Sequence, residues 1–244
     1  MSISDDLPGI GYIALKDVKS YCLKPSVINW GVLFPLALSL AFYVRSSEDF
    51  REMMPGLVAL TTLFSSIAME TAVVGIELRR GTLERLFLAP MSFAAVVMGK
   101  VLGGLLFGLG VSFVLTIVCI IGLGLWRWSL LWLLPVLLFS ALAFSSLGAL
   151  ISVAWRKVIE ARTLANLVCF PMIFLCGVFV PLSSLPPLLR GIAYLLPLTY
   201  AVEGVEGAVS SLSLVAMLVN LLVLVAFAAI FLLLALLILR KRLA

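Results

Sequence analysis

The stretch that decides the fold is residues 212–239, LSLVAMLVNLLVLVAFAAIFLLLALLIL, which contains no charged side chain. A helix needs about 20 predominantly apolar residues to cross the hydrocarbon core of a bilayer. Five further apolar segments of spanning length come before it, at residues 26–44, 55–78, 95–125, 131–154 and 163–181. In lipid, a helix satisfies its own backbone hydrogen bonds. The sequence therefore predicts an all-α, polytopic membrane protein with six transmembrane helices.

The composition of the rest of the chain agrees with this fold class. Of the 244 residues, 64% are hydrophobic and 12% are charged, and the mean hydropathy is +1.25. Soluble domains contain about twice that share of charged residues. This excludes a soluble enzyme, a disordered chain and a nucleic-acid-binding domain, and the long apolar runs exclude an outer-membrane barrel. We expect residues 26–244 to form one six-span domain without a separate soluble domain.

Missing residue types limit the chemistry. The chain has no histidine, so a histidine metal site, a Ser-His-Asp triad and a histidine proton relay are excluded. The four cysteines form no C-x-x-C pair, and we interpret them as small apolar packing residues. We therefore predict no catalytic, cofactor-binding or metal-binding residue in this chain.

Asp5 and Asp6 stand where a signal peptide would be basic, so the N-terminus is not expected to be one. Residues 1–25 are instead expected to form an amphipathic helix in the membrane interface, because residues 7–24 divide into an apolar and a polar arc. On a helical wheel the apolar arc consists of Leu7, Ile10, Ala14, Val18, Tyr21 and Cys22. The polar arc consists of Lys16, Asp17, Lys19, Ser20 and Lys24. Tyr12, Ile13 and Leu23 interrupt the pattern. A plain juxtamembrane linker is the alternative.

Positive charge sets the predicted orientation. With both termini in the cytoplasm, the inner side holds 13 of the 17 Lys and Arg residues and the outer side holds four. Cytoplasmic loops carry such an excess. Trp126, Trp128 and Trp132 then cluster at the outer ends of spans three and four, where amphipathic rings favour the headgroup layer.

The loop between spans two and three, residues 79–94, contains a short predicted helix. Gly81 suits the position after a helix, Thr82 suits an N-cap, and Glu84 lies in the first turn. This helix carries Leu83, Leu86 and Phe87 without an evident partner in the chain, which favours a docking surface. Folding back onto the membrane interface is the alternative.

Several motifs resemble the ABC-2-type permeases, the membrane subunits of ABC exporters of drugs, lipid-linked glycans and nodulation factors. In the first half they are Glu77, Gly81-Thr82-Leu83-Glu84-Arg85-Leu86, Ala89-Pro90 and Gly99-Lys100. In the second half they are FPMIFLCGVFVP at residues 170–181, Leu185-Pro186 and Pro197-Leu198-Thr199-Tyr200. The family commonly has Ser at the position of Cys176.

The resemblance implies partners that the composition does not reveal. Two copies of the permease would form a homodimer in membrane lipid, and two cytoplasmic ABC ATPase subunits would bind ATP and Mg. The coupling residues would be Gly81, Thr82, Leu83, Glu84, Arg85, Leu86 and Phe87. An outer re-entrant segment would contain Pro181, Pro186, Pro187, Pro197, Leu198, Thr199 and Tyr200. The location implied is the prokaryotic cytoplasmic (inner) membrane.

This chain is not expected to hydrolyse ATP by itself. A P-loop reads G-x-x-x-x-G-K-[ST], whereas here Gly99-Lys100 is followed by Val101 and is preceded by Ala94 at the first glycine position. The ATPase activity would belong to the complex with the partner subunit.

Polar residues within the spans are candidates for the transport route. Glu70 is the one acid deep in a span, and it is either a lining or dimer-interface acid or a neutral packing residue bonded to Asn166, Ser or Thr. Candidate pathway-lining residues are Asn29, Phe34, Asn166, Phe170 and Phe174. The small residues Gly99, Gly103, Gly104, Gly108 and Ser112 form stripes that favour close helix packing within the subunit over a dimer seam.

The predicted function is export of a hydrophobic or amphipathic substrate, drug-like or lipid-like, from the cytoplasm or inner leaflet. The alternative within the family is export of a lipid-linked polysaccharide or oligosaccharide. A secondary transporter or channel is a further alternative, but it would need more intramembrane charge than Glu70 provides.

Overall fold

The computed structural model describes residues 3–82, 86, 91–124, 131–155, 158–210 and 214–243. Over these residues the chain is helical between short turns and contains no strand. Its helices are α1 (Ile3–Tyr21), α2 (Pro25–Arg45), α3 (Ser47–Arg80), α4 (Phe93–Leu123), α5 (Leu133–Ala154), α6 (Val158–Leu175), α7 (Pro187–Ala193), α8 (Pro197–Ser210) and α9 (Leu214–Leu243). The second contains a π-helical stretch, Asn29–Leu33.

The predicted all-α polytopic class is confirmed. Among the described residues, α2, α3, α4, α5 and α9 are long and apolar enough to cross a membrane, and α7 with α8 forms a sixth candidate bent by 86°. The predicted fifth segment, 163–181, is wrong as one continuous helix. Helix α6 ends at Leu175, because Gly177 adopts a positive φ of 83° that turns the chain.

Helix α3 is the centre of the bundle. Residues 54–75 of its spanning part, Phe50–Glu77, are all buried, whereas only a small share of α2 and α9 is buried. The other spanning helices and α8 pack around α3 or around its neighbour α5. Small hydroxyl residues suit this position, because each hydroxyl can donate to the helix's own carbonyls, as Thr61 does to Leu57 O at 2.7 Å and Thr71 to Ile67 O at 2.8 Å.

Glycines allow α4 to approach its neighbours closely. A Cβ at Gly99 would lie 2.8 Å from the Ile13 Cβ of α1, and a Cβ at Gly108 would lie 3.3 Å from the Ser66 Cα of α3. Gly103 faces Asp17, and Gly104 faces Glu70 and Ser145. The predicted use of these stripes for packing within the subunit is confirmed.

Helix α1 packs along α4, and its buried face differs from the predicted arc. Asp17, which was assigned to the polar arc, is buried, and so is Ile13, which interrupted the pattern. Leu7, which was assigned to the apolar arc, is exposed. The physical reason is that α1 lies against Gly99 and Gly103 of α4, whose missing side chains leave room for it. We call this end of the bundle, with α1, the α1 end, and the end with Arg45 and Leu123 the far end.

The approach of Gly56 to the turn after α6 gives a test of the packing. An added Cβ at Gly56 would lie 2.9 Å from the Val178 Cα and 3.0 Å from its carbonyl oxygen. Because backbone atoms would have to move, we expect Gly56→Ala to destabilise the purified protein by about 1–3 kcal/mol. Thermal unfolding in detergent measures this. Gly110→Ala is the control, since its Cβ meets no atom within 4 Å, and equal stability of the two variants would contradict the packing.

Candidate functional site

Four charged side chains form a buried cluster at the α1 end. Lys100 of α4 donates to Glu77 of α3, and its Nζ lies 3.5 Å from Asp17 Oδ2 of α1. Lys16 Nζ lies 2.5 Å from Glu77 Oε1 and 2.8 Å from Asp17 Oδ1. The side chains of Asp17 and Glu77 are each 2% exposed, and that of Lys100 is 6% exposed. We call Lys16, Asp17, Glu77 and Lys100 the ion cluster.

The ion cluster is electrically balanced, with two cations and two anions. Moving such charges out of water is expensive, and pairing with good geometry offsets the cost. Burial lowers the pKa of Lys16, but its hydrogen bonds to Asp17 and Glu77 outweigh this, so that pKa lies above its ordinary value of 10.5. The contribution of Lys16 to folding is therefore present at neutral pH and is lost only as the pH rises through the raised pKa.

A second polar contact joins α1 to the start of α4. Ser92 Oγ donates to Asp6 Oδ2 at 2.6 Å and accepts from Ala95 N at 3.2 Å, which caps α4. Glu77 lies just before the segment that joins α3 to α4, and Ser92 lies at its end. We call residues 81–92 the connecting segment. Helix α1 therefore contacts its last residue, Ser92, and also Glu77 of α3, four residues before its start.

Only part of the connecting segment is described. Gly81 has a φ of 63°, the left-handed conformation that favours glycine after a helix, and Thr82 Oγ1 lies 3.4 Å from Glu77 O. Leu86 is half-buried. The other predicted coupling residues, Leu83, Glu84, Arg85 and Phe87, lie outside the described residues, as do Trp126 and Trp128.

Glu70 lies between α3, α4 and α5 and is 1% exposed. Its Oε1 is 3.1 Å from Ser145 Oγ, which is also 2.7 Å from Val101 O. The partner is thus Ser145, one of the residue types foreseen, and not Asn166. A hydroxyl has one proton, so Ser145 cannot donate to both oxygens. Ion pairs in the described part of the chain do not include Glu70. These surroundings suit the neutral form of the Glu70 carboxyl group.

The candidate pathway residues lie on α2 and α6. Phe34 packs against Phe64 of α3, with ring centroids 5.0 Å apart. Asn166 lines a crevice of about 20 Å³ between α2, α3 and α6. Asn29, Phe170 and Phe174 are exposed on the outside of the described bundle. The five residues therefore do not enclose one cavity within a single chain.

The proline-rich segment after α6 folds into short helices at the far end. A 3₁₀ turn, Leu182–Ser184, follows Pro181, and Pro186 precedes α7. Pro197 begins α8, where Leu198 and Thr199 are fully buried. Two side-chain hydrogen bonds close the 86° bend between α7 and α8. Thr199 donates to Ala193 O at 2.5 Å, and Tyr200 donates to Tyr194 O at 2.9 Å. This arrangement fits a broken span as well as a re-entrant segment, so the re-entrant assignment stays a prediction.

The structure reveals site residues that sequence reasoning missed. The sequence does not identify Asp6, Lys16, Asp17 and Ser92 as a unit, and it indicates Lys100 only as part of the Gly99-Lys100 motif. The available signal is that Lys100 lies inside the apolar segment 95–125, six residues after the end of the predicted loop. Within the described residues, no three Cys, Asp or Glu side chains are placed to hold a metal ion.

Removing one partner tests the ion cluster. Lys100→Met leaves Glu77 and Asp17 with too little compensating charge, so we expect destabilisation by about 3–5 kcal/mol. The Lys100→Met/Glu77→Gln double variant should recover part of this loss. Thermal unfolding in detergent measures both, with exposed Lys19→Met of α1 as the control. A double variant as unstable as the sum of its single changes would show that the two residues are not coupled.

Glu70 and Glu77 should respond differently to the same chemical change. Glu70→Gln keeps a neutral hydrogen-bonding group beside Ser145, so we expect little change in unfolding temperature. Glu77→Gln removes a charge that two lysines contact, so we expect a large loss. A loss from Glu70→Gln as large as that from Glu77→Gln would mean that Glu70 is ionised.

Comparison with known proteins identifies the family. The model of the family described as ABC-2 type transporter matches residues 10–210. The chain is 27% identical to the inner membrane transport permease YadH of Escherichia coli over 152 residues, which cover 62% of this chain and 59% of that protein. It is 32% identical to nodulation protein J of Azorhizobium caulinodans over 130 residues, which cover 53% and 51%.

A third relative is the probable multidrug ABC transporter permease YbhS of Escherichia coli, 27% identical over 155 residues, 63% of this chain and 41% of that protein. The chain thus spans about half the length of the relatives that it matches. The family match covers most of the chain and includes α1 from residue 10 onward, the ion cluster, the connecting segment and α8. The chain is a multi-pass membrane protein and belongs to the ABC-2 type transporter family.

Proposed function

We propose that this chain is the membrane subunit of an ATP-driven exporter and that it moves a hydrophobic or amphipathic, drug-like or lipid-like substrate out of the cytoplasm or inner leaflet. It acts as a homodimer with two copies of a separate ABC ATPase, which holds ATP and Mg. Both termini and the α1 end face the cytoplasm. Family membership and the excess of Lys and Arg at the α1 end support this arrangement.

The observation that carries the proposal is the attachment of α1 to the connecting segment and to the helices on either side of it. Asp6 contacts Ser92 at the end of the segment, Lys16 contacts Glu77 of α3, and Asp17 contacts Lys100 of α4. Force applied to the connecting segment would therefore move α1, α3 and α4 together. Because α3 is the centre of the bundle, this movement reaches the other spanning helices. An ATPase that seats on the segment could drive alternating access in this way.

The proposed class of substrate follows from the exposed side chains that are available to line a transport route. The large exposed side chains of α6, Leu167, Phe170 and Phe174, are apolar, which favours a hydrophobic or amphipathic substrate. A second candidate, a lipid-linked glycan, is favoured by an aromatic row: Phe42 and Phe174 each pack against Phe179, with ring centroids 5.8 and 5.9 Å apart. Aromatic faces are suitable surfaces for sugar rings. The two candidates are distinguished by measuring which class of compound, drug-like or lipid-like molecules or lipid-linked glycans, stimulates ATP hydrolysis by the complex.

Charge reversal in the connecting segment tests the proposed coupling. We expect Glu84→Lys or Arg85→Glu to abolish co-purification with the ATPase, or to abolish substrate-stimulated ATP hydrolysis, because each reverses a charge on the surface proposed to contact the ATPase. Glu206→Lys, at an exposed position of α8, is the control. Full stimulated activity in both connecting-segment variants would contradict the proposal, and so would the failure of any Walker-motif ATPase to co-purify.

A further inference from the structure

An apolar cleft of about 420 Å³ lies between α2 and α4 at the far end of the bundle. The proposed transport function does not use it. Leu36, Leu40 and Tyr43 form the α2 wall, while Leu115, Val118 and Gly122 belong to α4. The volume falls in the range of ordinary small-molecule pockets. Leu36, Leu40 and Tyr43 of one wall are exposed, and so are Val118 and Gly122 of the other. The cleft is therefore a groove on the side of the described bundle.

The floor of the cleft offers no group that needs a polar ligand. The hydroxyl of Ser39 donates to Pro35 O of its own helix at 2.8 Å. Cys119 is buried, and a thiol is only a weak hydrogen-bond donor. Phe50 of α3 packs against Tyr43 with ring centroids 5.5 Å apart at the far end of the groove. The occupant that fits this lining is therefore apolar.

The position of the cleft identifies the material available to fill it. Seven residues separate Leu36 from Tyr43 and Leu115 from Gly122, so each wall is about 10 Å long. Each wall ends within two residues of the end of its spanning helix. The groove thus lies in one leaflet of a hydrocarbon layer about 30 Å thick. At this depth the surrounding solvent consists of lipid acyl chains.

A cation lies where the headgroup of such a lipid would be. Arg51 follows Phe50 of the cleft, and its Nη2 donates to Leu123 O at 3.3 Å, next to Gly122. A guanidinium group has five N–H donors, so this bond leaves others available to a phosphate. Glu52 is exposed beside it. The rim therefore carries both signs of charge, which complements a zwitterionic headgroup.

We propose that the cleft binds one acyl chain of a phospholipid from the leaflet at the far end, with the lipid phosphate at Arg51. The groove supplies a fixed apolar surface along the chain, and the guanidinium holds the headgroup at the membrane surface. This is a site for a resident lipid, separate from the α6 face proposed for the substrate.

A photoreactive phospholipid tests the proposal in the full-length chain. The protein is reconstituted with phosphatidylethanolamine that carries a diazirine in mid-chain, illuminated, digested and analysed by mass spectrometry. We expect labelling within residues 36–43 and 115–122. Gly122→Trp should lose this label because the indole fills the groove. Gly110→Trp is the matched control, since a Cβ at either glycine meets no atom within 4 Å.

Other outcomes would overturn the proposal. Undiminished label in Gly122→Trp, an equal loss in Gly110→Trp, or no label at these residues would exclude an acyl chain from the cleft. Cross-links from the same residues to residues 125–130 or to a second copy of the chain would assign it to protein. Arg51→Gln should reduce labelling by the phospholipid severalfold but not labelling by a photoreactive diacylglycerol. Equal phospholipid labelling would exclude the headgroup contact.

Discussion

The contact between Lys100 and Glu77, with Asp17 and Lys16 beside it, is the interaction on which the α1 end depends. Its members come from three separate helices, and three of the four are almost fully buried. An unpaired charge in such a place would be very costly, so the cluster is stable only when all three helices are in position. This requirement makes α1, α3 and α4 one unit, although α1 has little of the apolar length that holds the other helices in a membrane.

Close helix packing makes the cluster possible. Gly99 and Gly103 bring α1 against α4 closely enough for Asp17 to reach Lys100. On the same helix, Gly104 leaves room for Glu70, and the resulting stack extends the contact between α3 and α4 toward the middle of the bundle. Charge, small residues and helix length therefore act together: the glycines set the distance, and the ion cluster sets which helices meet. The connecting segment begins and ends on this unit.

Much of the fold was predictable from the sequence because it depends on local composition. Apolar runs longer than the hydrocarbon thickness identified the spanning helices, and the prolines from Pro181 to Pro197 indicated the broken segment before α8. The buried face of α1 was not predictable in the same way. A helical wheel assigns Asp17 to water, whereas its burial depends on Lys100, which is 83 residues away in the chain. The continuous fifth span was wrong for a local reason, the turn at Gly177, which an apolar run conceals.

The central claim is that the ion cluster makes α1 and α4 move as one body when the ATPase works. Spin labels at Tyr12→Cys of α1 and Met98→Cys of α4, both exposed positions, report the distance between the two helices by pulsed electron paramagnetic resonance. The half-buried background thiol of Cys22 is removed by Cys22→Ser, and a Tyr12–Leu167 pair reports movement relative to α6. With the complex in nucleotide-free and ATP-bound states, the account predicts an unchanged Tyr12–Met98 distance and a changed Tyr12–Leu167 distance. A Tyr12–Met98 distance that changes with nucleotide would contradict it.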